Sequence, residues 1–412
     1  MKSTSSEIAR RGNIDLHFCR GLGKIPRLNA TGMKAILALE DGTIFEGKSF
    51  GATGTTVGEA CFDTNVVGYQ EAMTDPALCG MVLAFTYTHI GNYGVCEEDN
   101  ESERPHTRAI VAGELARLHC NWRADEPMEP WMLRHGILGI QGVDTRRLVA
   151  VLRAKGALRA CVTTELDSAA AVKAAQECAP MQGSNLVDGV TEPKAYHWEG
   201  ESRIWKLPNK TAGDLTNYYE LGPVQHKVVA YDFGITRNLL RCLRRDGCDV
   251  TVVPAHTPAA EVLAMKPDGV LLSNGPGDPA ALPQVHAEIK KLVGQVPVYA
   301  VGLGCQMLAL AFGGKVAKLF NGHRGGGWSV KNVLDGKVSI TAQNHGFAVD
   351  ADSIPAELEV THVNMADGSV EGVRHKTHPA LGVEFDPIGE PAADGKPCYF
   401  PEFLQLIRDF KK

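Results

Sequence analysis

Pro297-Val-Tyr-Ala-Val-Gly-Leu-Gly-Cys-Gln306 is the stretch whose reading decides the fold. A short β-branched and aromatic run meets two glycines and passes into apolar helix-forming residues, the pattern of a buried strand that turns sharply into a helix. Such an elbow lifts its apex residue above the sheet and leaves N–H groups at the helix start without an intrahelical acceptor, so a nucleophile at the apex sits beside an oxyanion site. The apex here is Gly302, which has no side chain to attack anything. The Leu303 N–H is expected to be one oxyanion donor, with a second from the Asn274-Gly275-Pro276-Gly277 loop, whose glycines permit close backbone approach. Taken singly, each of these is better read as a plain tight turn of an α/β fold.

Working outward from the elbow, short apolar runs alternate with helix-length segments. Residues 227–231, 250–253 and 269–272 read as strands, and 236–245 as a helix ended by Gly247. This alternation predicts right-handed crossovers and a doubly wound, mostly parallel sheet covered on both faces, with ligands at the carboxyl edges of its strands. Both glycine-rich turns, Ser273-Asn-Gly-Pro-Gly-Asp-Pro279 and Val301-Gly-Leu-Gly304, fall at that edge.

Upstream, Ala35-Ile-Leu-Ala-Leu-Glu-Asp-Gly-Thr-Ile-Phe-Glu-Gly47 predicts a hairpin about Asp41-Gly42. Asp144 caps a helix carrying Leu148, Val149, Val151 and Leu152, which Gly156 ends before a strand at 158–162. The fold class is therefore α/β, with an N-terminal mixed α/β domain over 33–185 and the parallel-sheet domain over 226–412. Between them, 186–225 is broken by Pro193, Gly200, Pro208, Gly213 and Pro223 and reads as a linker. Residues 1–32 form an extension rich in arginine and serine without a secretory apolar core, expected to be a disordered tail, with a transit peptide or a mistaken upstream start codon as the other readings.

The 412-residue chain is long enough for two domains, and its formal charge of −6 gives no field that selects nucleic acid or an anionic membrane. Its most apolar run, residues 296–314, is too short and too broken to span a bilayer. Eleven cysteines without a CxxC pair fit free thiols in a reducing compartment, so a cytoplasmic location is expected. No His, Asp or Glu group shows metal-ligand spacing, and no metal site is expected.

Ser273-Asn-Gly-Pro-Gly-Asp-Pro279, Gly302-Leu-Gly-Cys-Gln306 and Thr341-Ala-Gln-Asn-His-Gly-Phe347, in that order, resemble a class I glutamine amidotransferase domain. Glu40-Asp-Gly-Thr43, Gly51-Ala-Thr-Gly54, Val67-Gly-Tyr-Gln-Glu71, Thr74-Asp-Pro76, Thr86-Tyr87, His89-Ile-Gly-Asn92 and Asp144-Thr-Arg146 narrow the resemblance to the small subunit of carbamoyl-phosphate synthetase. The resemblance covers nearly everything from Met33 onward. It implies a subunit that hydrolyses glutamine and passes ammonia to a large subunit for carbamoyl phosphate synthesis, in arginine or pyrimidine production. ATP and metal are then expected on the large subunit, and no cofactor in this chain.

Members of that family use a cysteine nucleophile, a histidine that shuttles the proton and a glutamate that orients the histidine. Matched residue by residue, those positions are Gly302, Asp386 and Ile388, and the serine that follows Thr-Asp-Pro in the family is Ala77. The resemblance implies glutamine-contacting positions at Gly275, Gly277, Leu303, Gln306, Asn344, Gly346 and Phe347. An equal reading is that these persist because the loops pack only with those residues.

Cys305 lies one helical turn past the apex and is expected to point away from the oxyanion donors. His345, His375 and His378 do not occupy the family's base position. Asp386 acting as a base toward water would forgo the covalent route. The reading favoured is a small subunit that has lost glutaminase chemistry and serves a structural or regulatory role. Two others stand beside it: an active glutaminase rearranged around Cys305, and a free-standing glutamine-binding protein.

Overall fold

The computed structural model describes residues 32–199, 223–387, 390–391 and 397–412. Nearly all of the N-terminal extension, the segment 200–222 and Ile388 lie outside the described residues.

The first domain closes on itself. Seven strands form a barrel in the order Lys34–Leu39, Ile44–Gly51, Leu138–Gln141, Ala109–Ala112, Met81–Phe85, Thr55–Asp63 and Arg159–Thr163. The predicted hairpin is present, with Ala38 opposite Ile44 and Gly42 at φ 88°. Asp144 caps the helix Thr145–Lys155 by accepting from the Arg147 N–H, and Leu148 and Leu152 are its buried face. Strand alternation in 33–185 made strands legible, but barrel closure depends on long-range pairs such as Ile36 with Thr163, which local pattern does not reveal.

The second domain is built on a ten-stranded sheet. Its centre, Cys248–Pro254, His226–Asp232, Gly269–Leu272, Val298–Val301 and Ala380–Val383, is parallel throughout. Separate hydrophobic clusters cover the two faces, one around Val229, Leu272 and Leu308, the other around Leu240, Leu271 and Phe403. Beyond Ala380–Val383 the sheet continues antiparallel through Val370–His375 and Leu358–Asn364 to a long hairpin, Val316–Asn332 with Val338–Val349. Among the described residues, no helix is long and apolar enough to cross a membrane.

The expected linker over 186–225 needs correction at its start. Val187–Gly189 is a 3-10 turn whose Val187 is buried in the sheet core, and Tyr196–His197 pairs antiparallel with Cys248–Pro254. These pieces are too short to give a sequence period, so residues up to 199 belong with the sheet domain.

Candidate functional site

Val301 ends its strand opposite Val383, so the two chains leave the carboxyl edge of the sheet side by side. One becomes the elbow at Gly302 and the other runs into Glu384 and Asp386. Gly302 has φ 53° and ψ −116°, the strained geometry of an elbow apex, and its N–H bonds the Val383 carbonyl at 2.8 Å. The helix Leu303–Ala311 follows. A Cβ built on Gly302 would meet nothing nearer than the Asn274 Cβ at 3.4 Å, an ordinary contact. The apex therefore retains room for a side chain that the sequence does not supply.

The neighbouring glycines have structural reasons to be glycine. A Cβ on Gly275 would lie 2.0 Å from the Phe233 carbonyl oxygen, and Gly277 has φ +87° with the Ser184 carbonyl 2.7 Å from the Cβ position. Leu303 and Gln306 are 3% and 2% exposed. Gln306 donates to the Phe347 carbonyl and to Glu384 Oε2, each at 2.8 Å. Phe347 packs into the barrel core beside Tyr69 and Met73. Asn344 donates to Asp75 across the domain boundary, and Gly346 abuts the Arg324 guanidinium. Ala77 is buried in the turn Pro76–Leu78, which Asp75 caps. The seven positions expected to contact glutamine, and Ala77, thus lie around one region between the domains, with the side-chain amides of Gln306 and Asn344 already bonded within the protein.

Cys305 points into the core, as expected from its place one turn along the helix. It is 0% exposed, a Cβ on Gly382 would lie 2.9 Å from its Sγ, and burial together with the Glu384 charge pushes the thiol well above its ordinary range. A buried thiol held protonated is a poor nucleophile. His375 is engaged locally, accepting from the amides of Thr377 and His378.

Between the domains, next to Asp386, lies a cavity of about 210 Å³. Asp63, Glu71, Asp75 and Glu101 reach it from the barrel domain, and Asp386 and Arg324 from the sheet domain. Burial, reinforced by Asp75 and Glu101, lifts Asp386 to about 7. Glu71 and Glu101 are each raised to about 7, and Asp63 and Asp75 are raised too, with burial the first cause in every case. Asp386, expected from the resemblance at the family's base position, is thus a carboxyl facing other carboxyls. Sequence reasoning passed over this acidic wall, although Glu71 and Asp75 sit inside motifs already singled out; what was missing was knowledge that both domains face one space.

These shifts have a sign. Each carboxyl holds its proton in the folded state to a higher pH than in the unfolded chain, so its stabilisation is present below about pH 4 and is lost as pH rises through its folded pKa, about 7 for Glu71, Glu101 and Asp386. The parent should lose stability between pH 5.5 and 8, and Asp386→Asn should flatten that loss by about 1 kcal/mol, a modest figure for a pair of interacting carboxyls. Urea unfolding of both proteins at the two pH values checks this; parallel pH dependences would contradict it.

Comparison with known proteins adds to this geometry. Residues 37–162 match the family model described as carbamoyl-phosphate synthase small chain, CPSase domain, and residues 229–406 match glutamine amidotransferase class-I. The carbamoyl phosphate synthase small chain of Akkermansia muciniphila is 48% identical over 380 residues, covering 92% of this chain and 99% of that one. The small chain of Syntrophotalea carbinolica is 45% identical over 379 residues, covering 91% and 98%. Among solved structures, a glutamine amidotransferase from Thermotoga maritima aligns with a TM-score of 0.32 at 20% identity, covering 39% of this chain and 74% of that one.

Proposed function

The chain belongs to the carbamoyl-phosphate synthase small-chain family, and we propose that it is a member without glutaminase activity, serving as the structural or regulatory partner of a large chain that takes up free ammonia. The observation that carries this reading is Gly302 at the elbow apex, where a Cβ would meet no clash and no nucleophile is present. Amide hydrolysis by the covalent route needs an attacking group, a base that protonates the leaving ammonia and an orienting carboxylate. Gly302 supplies no nucleophile, and Asp386, protonated up to about pH 7, is a poor replacement for an imidazole.

Rearrangement around Cys305 is disfavoured by its burial and by the direction of its thiol pKa. A free-standing glutamine sensor is disfavoured by the pocket itself. Gln306 and Asn344 are committed to internal partners, and the carboxyls of the adjoining cavity oppose the carboxylate of an amino acid. The nucleotide and metal of the synthetic steps are assigned to the large chain. The ten cysteines among the described residues are all free thiols, which favours a reducing compartment such as the cytoplasm. Arginine and pyrimidine synthesis are both open as the destination of the product.

The test is synthesis by the chain assembled with its large chain. Carbamoyl phosphate should form from ammonium and not from glutamine, and calorimetric titration of the isolated chain should give no glutamine binding tighter than about 1 mM. Glutamine-supported synthesis, or failure of the two chains to associate, would overturn the proposal.

A further inference from the structure

The long hairpin buries a second group of titratable side chains, which borders the elbow helix through Glu384 and the acidic cavity through Gln343. His323 and His345 are direct cross-strand partners, and Glu371 comes from Val370–His375. They are 1%, 6% and 0% exposed, and one potential ligand atom from each lies within 4.8 Å of the others. More than twenty residues separate each from the next in sequence, so no spacing motif announces them.

Hydrogen-bond accounting in this cluster does not close. His345 Nδ1 is 2.8 Å from the Phe347 carbonyl oxygen and must donate to it. With the Nδ1 proton committed to that carbonyl, Nε2 of the neutral imidazole carries a lone pair. That lone pair faces Gln343 Oε1 at 3.2 Å. The Gln343 amide group donates to Glu371 Oε2 at 2.9 Å and to Thr341 Oγ1 at 3.1 Å, so its orientation is set by those partners. Two acceptors thus confront each other with no hydrogen between them, which is unfavourable in a buried site. Turning the amide over would set its oxygen against the Glu371 carboxylate instead, so rotation offers no remedy. A cation placed among His345 Nε2, Gln343 Oε1 and Glu371 satisfies all of them.

We propose that His323 Nδ1, His345 Nε2 and a Glu371 carboxylate oxygen bind one first-row divalent metal ion, Zn²⁺ being the best match, with Gln343 Oε1 or a water completing the coordination. Two imidazoles and a carboxylate form a donor set suited to this class of ion. Each ligand also has the outer partner that fixes metal-binding side chains. His345 Nδ1 is held by the Phe347 carbonyl, His323 Nε2 by Asp367 Oδ2 at 3.0 Å, and Glu371 Oε1 by Asn364 Nδ2 at 2.8 Å.

The separations are close to what binding requires. His323 Nδ1 is 3.2 Å and His345 Nε2 4.0 Å from the nearer Glu371 oxygens. A tetrahedral ion with bonds of about 2.1 Å holds its ligands roughly 3.4 Å apart, so adjustments under about 1 Å bring these pairs into place. The site joins the long hairpin to the strand beside Ala380–Val383, and it stands whether or not the elbow is catalytically silent.

The test uses the full chain stripped with EDTA and then titrated with Zn²⁺ alone, with bound metal counted by elemental analysis. About one zinc per chain is expected, with a rise in Tm. Glu371→Gln should lower affinity at least tenfold and abolish the Tm rise. The Asp367 side chain is about half exposed, so Asp367→Asn keeps the fold while weakening binding roughly 10–100-fold through loss of the charged outer partner of His323. That variant carries the test if Glu371→Gln does not fold. No zinc uptake, or equal uptake by the parent and the variants, as binding on the free thiols would give, overturns the proposal.

Discussion

The variant G302C/D386H/I388E is expected to release ammonia from glutamine at least ~10²-fold faster than the parent chain, because it returns a nucleophile, a base and an orienting carboxylate together to an elbow that has kept its shape. The Cβ of the new cysteine meets nothing nearer than 3.4 Å, and the backbone there already has the apex geometry. The gain should be far below that of a native triad, since those groups act as a unit and depend on fine positioning. The introduced histidine would also face Asp75 and Glu101, whose charges favour the imidazolium. Activity should therefore rise with pH and level off at a higher pH than it would for an isolated histidine, and assays at pH 8 and above are the fair test. G302C alone should stay near the parent rate for want of a base. A triple variant that folds, shows an alkylatable thiol at 302 and still releases no ammonia would mean that the pocket has lost more than its triad.

The largest effect on stability is expected two residues along. A Cβ on Gly304 would lie 2.4 Å from the Leu272 carbonyl oxygen and 2.8 Å from the Leu272 Cβ, so Gly304→Ala must push the elbow helix off the strand Gly269–Leu272. Leu303, Met307 and Leu308 on that helix belong to the main core, so the displacement opens packing over a wide area. The expected loss is about 3 kcal/mol, which for a domain of this size lowers Tm by roughly 6–12 °C. Gly302→Ala is the control. It meets no clash and should cost only about 1–2 kcal/mol, from the positive φ that alanine tolerates poorly. Equal melting temperatures for the two variants would show that the helix is not seated as described.

These two glycines also show how far the sequence could be read. The strand, turn and helix around Gly302 were legible because the apolar run, the paired glycines and the following helix-formers all agree at short range. The parallel core from residue 226 onward was legible for the same reason, with 269–272 read at the observed bounds. What escaped was everything that depends on distant segments meeting. Barrel closure rests on pairs such as Leu37 with Val162, and the acidic cavity joins Glu71 and Glu101 to Asp386 from the other domain. The buried His323, His345 and Glu371 come from three strands, and no local pattern distinguishes them from ordinary polar positions. Of the expected glutamine contacts, Gly275 and Gly277 have packing reasons to be glycine that need no ligand.

One measurement bears most directly on the central claim: ammonia release from glutamine by the purified chain, alone and assembled with its large chain, under conditions where an active small chain from a relative serves as the positive control. The expected result is a rate indistinguishable from the no-protein background in both states, while ammonium still supports carbamoyl phosphate formation by the assembly. Ammonia release that scales with the concentration of this chain and disappears in Cys305→Ala would contradict the account, and would place a working nucleophile where the structure buries a thiol.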